Sequence, residues 1–161
     1  AFLPVFWNRE SGVERLRDAL MQATVQLGDG IYPFGLGLVL LGRGDYRQAL
    51  AAFRVAESRP SMILTRKFPR LYRAATLRCL RGRIPREDEA GRARLRRDLL
   101  AALAALLAEP DLTAPELAHI AREAAAAGDL ALRAEAVARW RREHPRDGKA
   151  EQAWHRLVKP R

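Results

Sequence analysis

The residues that most often carry chemistry are few in this chain and poorly placed for it. The three histidines, His119, His144 and His155, are scattered, and none stands at a ligand or triad spacing from a carboxylate. A general base needs an orienting partner, and a metal site needs several converging ligands. Cys79 is the single cysteine, so neither an internal disulfide nor a redox pair can form. It lies between Leu77 and Leu80 in a helical stretch, where a small thiol reads as core. No H-E-x-x-H, P-loop, G-x-S-x-G or C-x-x-C pattern occurs, and Gly35-Leu36-Gly37 lacks the preceding strand that a nucleotide loop requires. The expectation is a protein without catalytic site, metal or cofactor, and not an enzyme.

Charge is the stronger signal. The chain carries 29 Lys and Arg against 19 Asp and Glu, a net +10, and only Lys67, Lys149 and Lys159 of those cations are lysines. Twelve basic residues fall between Arg66 and Arg97, opposed only by Glu87, Asp88 and Glu89, so this stretch holds a net +9. Arg66, Lys67, Arg70, Arg73, Arg78 and Arg81 form its candidate patch. Such a field favours an acidic protein, an anionic lipid surface or nucleic acid. Phe68 and Tyr72 are the only aromatic platforms there and no nucleic-acid fold signature appears, which ranks nucleic acid last. The other reading is a solvated basic face, with arginine supplied by a GC-rich genome.

The elements that must position these groups are helices. Of the 161 residues 48% are hydrophobic and 30% charged, enough apolar matter for a core, and Ala and Leu dominate. Ser11-Gly12-Val13-Glu14 has capping-box spacing ahead of Val13, Leu16, Leu20, Ala23 and Leu27, with Gly28 as a left-handed stop. Pro33 can open a second helix broken at Gly44. Asp45 caps a third, striped by Tyr46, Leu50 and Phe53 and ended by Pro60. Pro69 opens a fourth, to about Gly82, followed by a polar segment, 83–94, with little area to bury against its ordering entropy. A long Leu/Ala helix stops at Pro110, and Thr113-Ala114-Pro115-Glu116 is a second capping box with Pro at the first helical position. That helix stops at Gly128, Asp129 caps the next, and a last one runs roughly 148–158. About eight helices result.

Gly37, Gly44-Asp45-Tyr46, Ala49, Phe53, Ala56 and Pro60 together resemble the tetratricopeptide repeat family. Small residues let paired helices approach, Gly ends the first helix, the aromatic fills the space between them, and Pro ends the second. Gly128-Asp129-Leu130 repeats the turn with Ala121 seven residues before it, and Gly82 has Ala75 at the same distance. The separations from turn glycine to proline are 16, 28 and 17, so the middle copy carries an insertion of about 12 residues, at 83–94. The third copy departs from the pattern at Arg133, where a small residue is expected. The resemblance implies an all-α, right-handed solenoid of antiparallel helical hairpins forming one domain. Its parts are an apolar strip at 1–10, a capping helix at 11–30, repeats at 31–60, 61–110 and 111–145, and a capping helix at 146–161.

The same resemblance implies a partner-binding function, a scaffold holding a peptide or helix in a concave groove. The stripe ending three residues before each turn glycine would line it. In the first copy these are Ile31, Phe34, Leu38 and Leu41; in the second Pro69, Tyr72, Thr76 and Cys79; in the third Pro115, Ala118, Arg122 and Ala125. The alternative is that the first helix or the strip covers this face. A second function class is an electrostatic anchor through the basic block. Residues 1–7 are apolar but too short to span a bilayer. They read either as a strip packed on the first helices or as the tail of an upstream membrane segment, in a chain processed or cut from a larger bacterial-type protein. Arg9, Arg15 and Arg17 near a membrane end, and an unpaired thiol, both suit the cytoplasm, free or tethered to the inner face of the membrane.

Overall fold

The computed structural model describes residues 9–159, with the side chains of 9–11 outside the description. The expectations for the strip at residues 1–7 therefore lie outside the described residues. Those residues form eight α-helices and no strand. The helices are α1 (Arg9–Gln26), α2 (Ile31–Arg43), α3 (Tyr46–Ser58), α4 (Lys67–Arg83), α5 (Glu89–Leu107), α6 (Ala114–Ala126), α7 (Leu130–Glu143) and α8 (Gly148–Val158). Among the described residues, no helix is long and apolar enough to cross a membrane. The chain gathers into two compact units, one ending at Arg83 and the other beginning at Ile84, a division inside the stretch expected to be the second repeat.

In the first unit α1–α4 run up and down. Glu14 near the start of α1 pairs with Arg43 at the end of α2, and Glu57 at the end of α3 pairs with Arg70 and Arg73 at the start of α4. The core is built round Phe53, fully buried with Leu36, Leu40, Ala49 and Ala52. A Cβ on Gly37 would stand 2.5 Å from the Phe53 ring, so α2 can approach α3 only because that side chain is missing. The rings of Phe34 and Tyr72 lie 5.9 and 5.8 Å from that of Phe53 and 5.6 Å from each other, tying α2, α3 and α4 through one aromatic trio. The expected stripe on α1 is only partly used. Leu20 packs against this core, whereas Val13, Leu16 and Leu27 are exposed.

In the second unit, Leu99, Leu103 and Leu106 of α5 are buried, as are Leu117 and Ile120 of α6 and Val137 of α7. Thr113 caps α6 with both halves of the box formed: its hydroxyl accepts from Glu116 N, and the Glu116 carboxylate accepts from Thr113 N. Asp129 and Asp147 cap α7 and α8 through their carboxylates.

The two glycine turns are the same object. Gly44 and Gly128 have φ of 81° and 79°. In each, the glycine N–H donates to the carbonyl three residues back and the following Asp N–H to the carbonyl five back, the Schellman pattern. Four expectations fail locally. α1 starts before Ser11, so that residue is inside the helix and not its cap. Gly28 does not take positive φ; α4 ends within one residue of Gly82 as expected, though without a left-handed glycine. Asp45 occupies the cap position of α3 without accepting a backbone hydrogen bond, its carboxylate lying 3.2 Å from Arg43 Nε instead. Finally, the polar segment is half helix: Asp88 caps α5 by accepting from Gly91 N, which starts the helix at Glu89 and leaves residues 84–88 as the connection.

Candidate binding cleft

A cleft of about 650 Å³ lies between α6 and α8. Pro115, Ala118 and Arg122 form one wall, spaced so that they share a face of α6. Lys149, Gln152, Ala153 and Arg156 repeat that spacing on α8 and form the other, with the Trp140 side chain from α7 also lining it. The wall on α6 stands where it does because the Thr113 cap and Pro115 fix the helix start. The wall on α8 is set by Asp147. One oxygen of its carboxylate accepts from Lys149 N at 3.0 Å, and the other from Trp140 Nε1 at 2.9 Å, so one side chain caps α8 and pins it to α7. Arg141 and Glu151 add an ion pair between the same two helices.

The chemistry of the cleft follows from that arrangement. Pro115, Ala118 and Ala153 present apolar surface, and Arg122, Lys149 and Arg156 put three cations round it. The one carboxylate in the lining, Asp147, already accepts two hydrogen bonds. The field in the cleft is therefore positive, and charge-assisted hydrogen bonds to an incoming carboxylate are the strongest contacts it can offer. Sequence reasoning treated α8 only as a cap. The recurrence of Lys149, Gln152, Ala153 and Arg156 at helical spacing was the signal for a second wall.

The expected groove residues of α2 and α4 are not among those lining this cleft. Phe34 and Tyr72 belong to the aromatic trio, and Leu41 packs against the Phe53 core. Ile31 is half-buried, and Leu38 is exposed. Thr76 is fully buried, its hydroxyl donating to Tyr72 O at 2.7 Å, so it offers no surface to a partner. Cys79 is half-buried, less enclosed than a core thiol.

The basic block is divided between the two units, and much of it is used internally. Arg70 and Arg73 share Glu57. Lys67 lies 5.3 Å from the Phe68 ring centroid, Arg66 and Arg78 are exposed, and Arg81 is half-buried. Four arginines, two of them from the block, cap helix ends. Arg59 donates to Thr24 O in the last turn of α1 and to Leu27 O just beyond it, and Arg83 donates to Gly44 O beyond α2. Arg139 donates to Leu107 O at the end of α5 and to Pro110 O beyond it, and Arg96 donates to Ala127 O beyond α6. Each reaches 29 to 39 residues along the chain to carbonyls that helix geometry leaves open. Arginine abundance thus has a structural use that composition alone conceals.

The histidines make contacts within the second unit. His144 Nε2 lies 3.1 Å from Leu112 O, His155 Nε2 lies 3.0 Å from Glu151 one turn away, and His119 neighbours Arg122. Among the described residues no group of His, Cys, Asp and Glu could hold a metal ion. No family model, curated protein or solved structure matches the chain.

Proposed function

We propose that the chain is a tetratricopeptide-like, non-enzymatic interaction module whose second unit binds an acidic peptide or helix of a protein partner in the α6–α8 cleft. One observation carries this. The face of α6 that the family resemblance assigns to partner binding, through Pro115, Ala118 and Arg122, is the face that lines the cleft. The repeat reading is supported by two hairpins sharing one turn and one spacing to the preceding small residue, Gly37 to Gly44 and Ala121 to Gly128. The cations round an apolar floor select an acidic segment with small apolar side chains. The basic block as an anchor is the weaker reading, because Arg70, Arg73, Arg83 and Arg96 are engaged within their own units. An unpaired thiol suits a cytoplasmic setting.

Selection from a random peptide library on the full chain tests the proposal. Acidic peptides should be enriched, and Ala118→Trp, which fills the cleft without changing charge, should weaken the selected peptides at least about tenfold. Equal binding to the filled variant, or selection without acidic bias, would remove the cleft from consideration.

A further inference from the structure

The α6–α8 cleft has a register, and its two ends differ in charge. The chain reverses after α6 at Gly128 and again after α7, so α6 and α8 run the same way. Both begin at the same end of the unit. The carbonyl of Leu112, just before α6, lies 3.1 Å from His144 Nε2 just after α7, and Asp147, just before α8, accepts from Trp140 Nε1. Pro115 and Lys149 each stand one residue after the first residue of their helix, Ala118 and Gln152 four, and Arg122 and Arg156 eight. At about 1.5 Å of rise per residue, the two guanidiniums therefore come from opposite walls at one depth, roughly 12 Å from the helix starts.

The acid of the lining, Asp147, is at the other end of the cleft, where it bonds Trp140 Nε1 and Lys149 N. At the arginine end, Arg122 is exposed, and its neighbour at 3.5 Å is the His119 ring. Arg156 is exposed and forms no ion pair among the described residues. Glu123, next to Arg122 in the chain, is buried within the unit, and Glu151 is balanced by Arg141 and also meets His155.

We infer that the cleft takes a phosphorylated side chain of its peptide, with the phosphate seated between Arg122 and Arg156 and small apolar neighbours lying on Pro115, Ala118 and Ala153. This rests on the reading of the cleft given above and names the group it recognises. The matching of charge and oxygens selects phosphate. A carboxylate carries one charge and is satisfied by a single guanidinium through two parallel hydrogen bonds, which leaves the opposing guanidinium facing a like charge. A phosphate monoester carries about −1.5 to −2 charges at pH 7 and three terminal oxygens, enough for two forks at once. Clustered arginines are a general means of reading phosphorylated segments. Nucleic acid is the poorer source of that phosphate. A strand needs cations recurring along its track and open aromatic faces for its bases, whereas this pair sits at one depth and the aromatic ring of the lining, Trp140, is buried.

Peptide pools that are random except for a central phosphoserine, glutamate or serine test this on the immobilised full chain, with retained peptides quantified by mass spectrometry. The phosphoserine pool should be retained at least about tenfold over the glutamate pool, and the serine pool least. Arg122→Lys and Arg156→Lys keep the charge and remove the fork. Each should bring the phosphoserine-to-glutamate ratio to within about threefold of unity, at the wild-type melting temperature because both side chains are exposed. Equal retention of the phosphoserine and glutamate pools, still weakened by Ala118→Trp, would overturn the phosphate inference and leave the acidic-peptide reading standing. Retention indifferent to Ala118→Trp would remove both. A phosphoserine preference that survives both lysine variants would overturn the arginine pair as its site. A labelled single-stranded oligonucleotide that displaces the retained peptides from wild type, and less well from the lysine variants, would assign the pair to nucleic acid instead.

Discussion

The α2–α3 and α6–α7 hairpins turn through the same backbone and are filled differently. Both reverse at a left-handed glycine followed by Asp, with the same two carbonyls satisfied. Both receive a distant guanidinium at the turn, Arg83 at Gly44 and Arg96 at Gly128, one from later in the chain and one from earlier. Between the helices they differ. Seven residues before the turn the first has Gly37 and the second Ala121; nine after it the first has Phe53 and the second Val137, both buried. A missing methyl accompanies a ring, and a methyl accompanies a smaller branched side chain. Turn chemistry and interhelical filling are therefore separable. The turn fixes register, and pairs of side-chain volumes are then exchanged at fixed register.

Truncation separates the two fillings most widely. Phe53→Ala should cost about 3–5 kcal/mol, because a fully buried ring with two aromatic neighbours leaves a cavity that α2 and α4 cannot close. Val137→Ala removes two methyl groups and should cost about 2 kcal/mol. Urea unfolding followed by amide exchange within each unit measures both, and equal costs would mean that Phe53 and Val137 are not doing different work. The pairing itself is tested next. Gly37→Ala alone should cost about 1–3 kcal/mol by driving a Cβ into the Phe53 ring. In Gly37→Ala with Phe53→Val the first hairpin acquires the filling of the second, and part of that cost should return as a favourable coupling of about 1 kcal/mol. Strict additivity would break the comparison.

How much of this could be read beforehand depended on the reach of each interaction. Local devices were legible. The Thr113–Glu116 box, the Asp129 cap, the two left-handed glycines and the bounds of α8 all rest on groups within five residues of one another. Phe53 as core was legible for the same reason, since Ala49 and Ala56 share its side of α3. What escaped was chosen by distant neighbours. Asp45 has the residue type of a cap, but Arg43 takes its carboxylate. Thr76 looked like a polar groove position. Its hydroxyl is satisfied inside its own helix, which lets it be buried as a small apolar residue would be. Helix-capping arginines could not be told from solvated ones, because their acceptors lie some thirty residues away. In the candidate site, Arg122 was named with its wall, but the opposing wall depended on Asp147 bonding Trp140.

The smallest expected effect is also the sharpest in sign, because it sets the two true turns against the glycine that only resembles them. Gly82 has the sequence setting of Gly44 and Gly128, with a small residue seven positions before it. It nevertheless lies within the last turn of α4, its φ is not positive, and no neighbour would meet a Cβ placed there. Alanine at that position removes conformational freedom from the unfolded chain and strains nothing in the folded one, so Gly82→Ala should stabilise by about 0.5 kcal/mol. At Gly44 and Gly128 the same replacement forces a side chain into the left-handed region and should destabilise by roughly 1–2 kcal/mol each. Thermal melts of the three single variants give the three signs directly. If Gly82→Ala lowered the melting temperature as the other two do, Gly82 would be a turn after all, and a third hairpin with the register of the other two would have to replace the continuous end of α4.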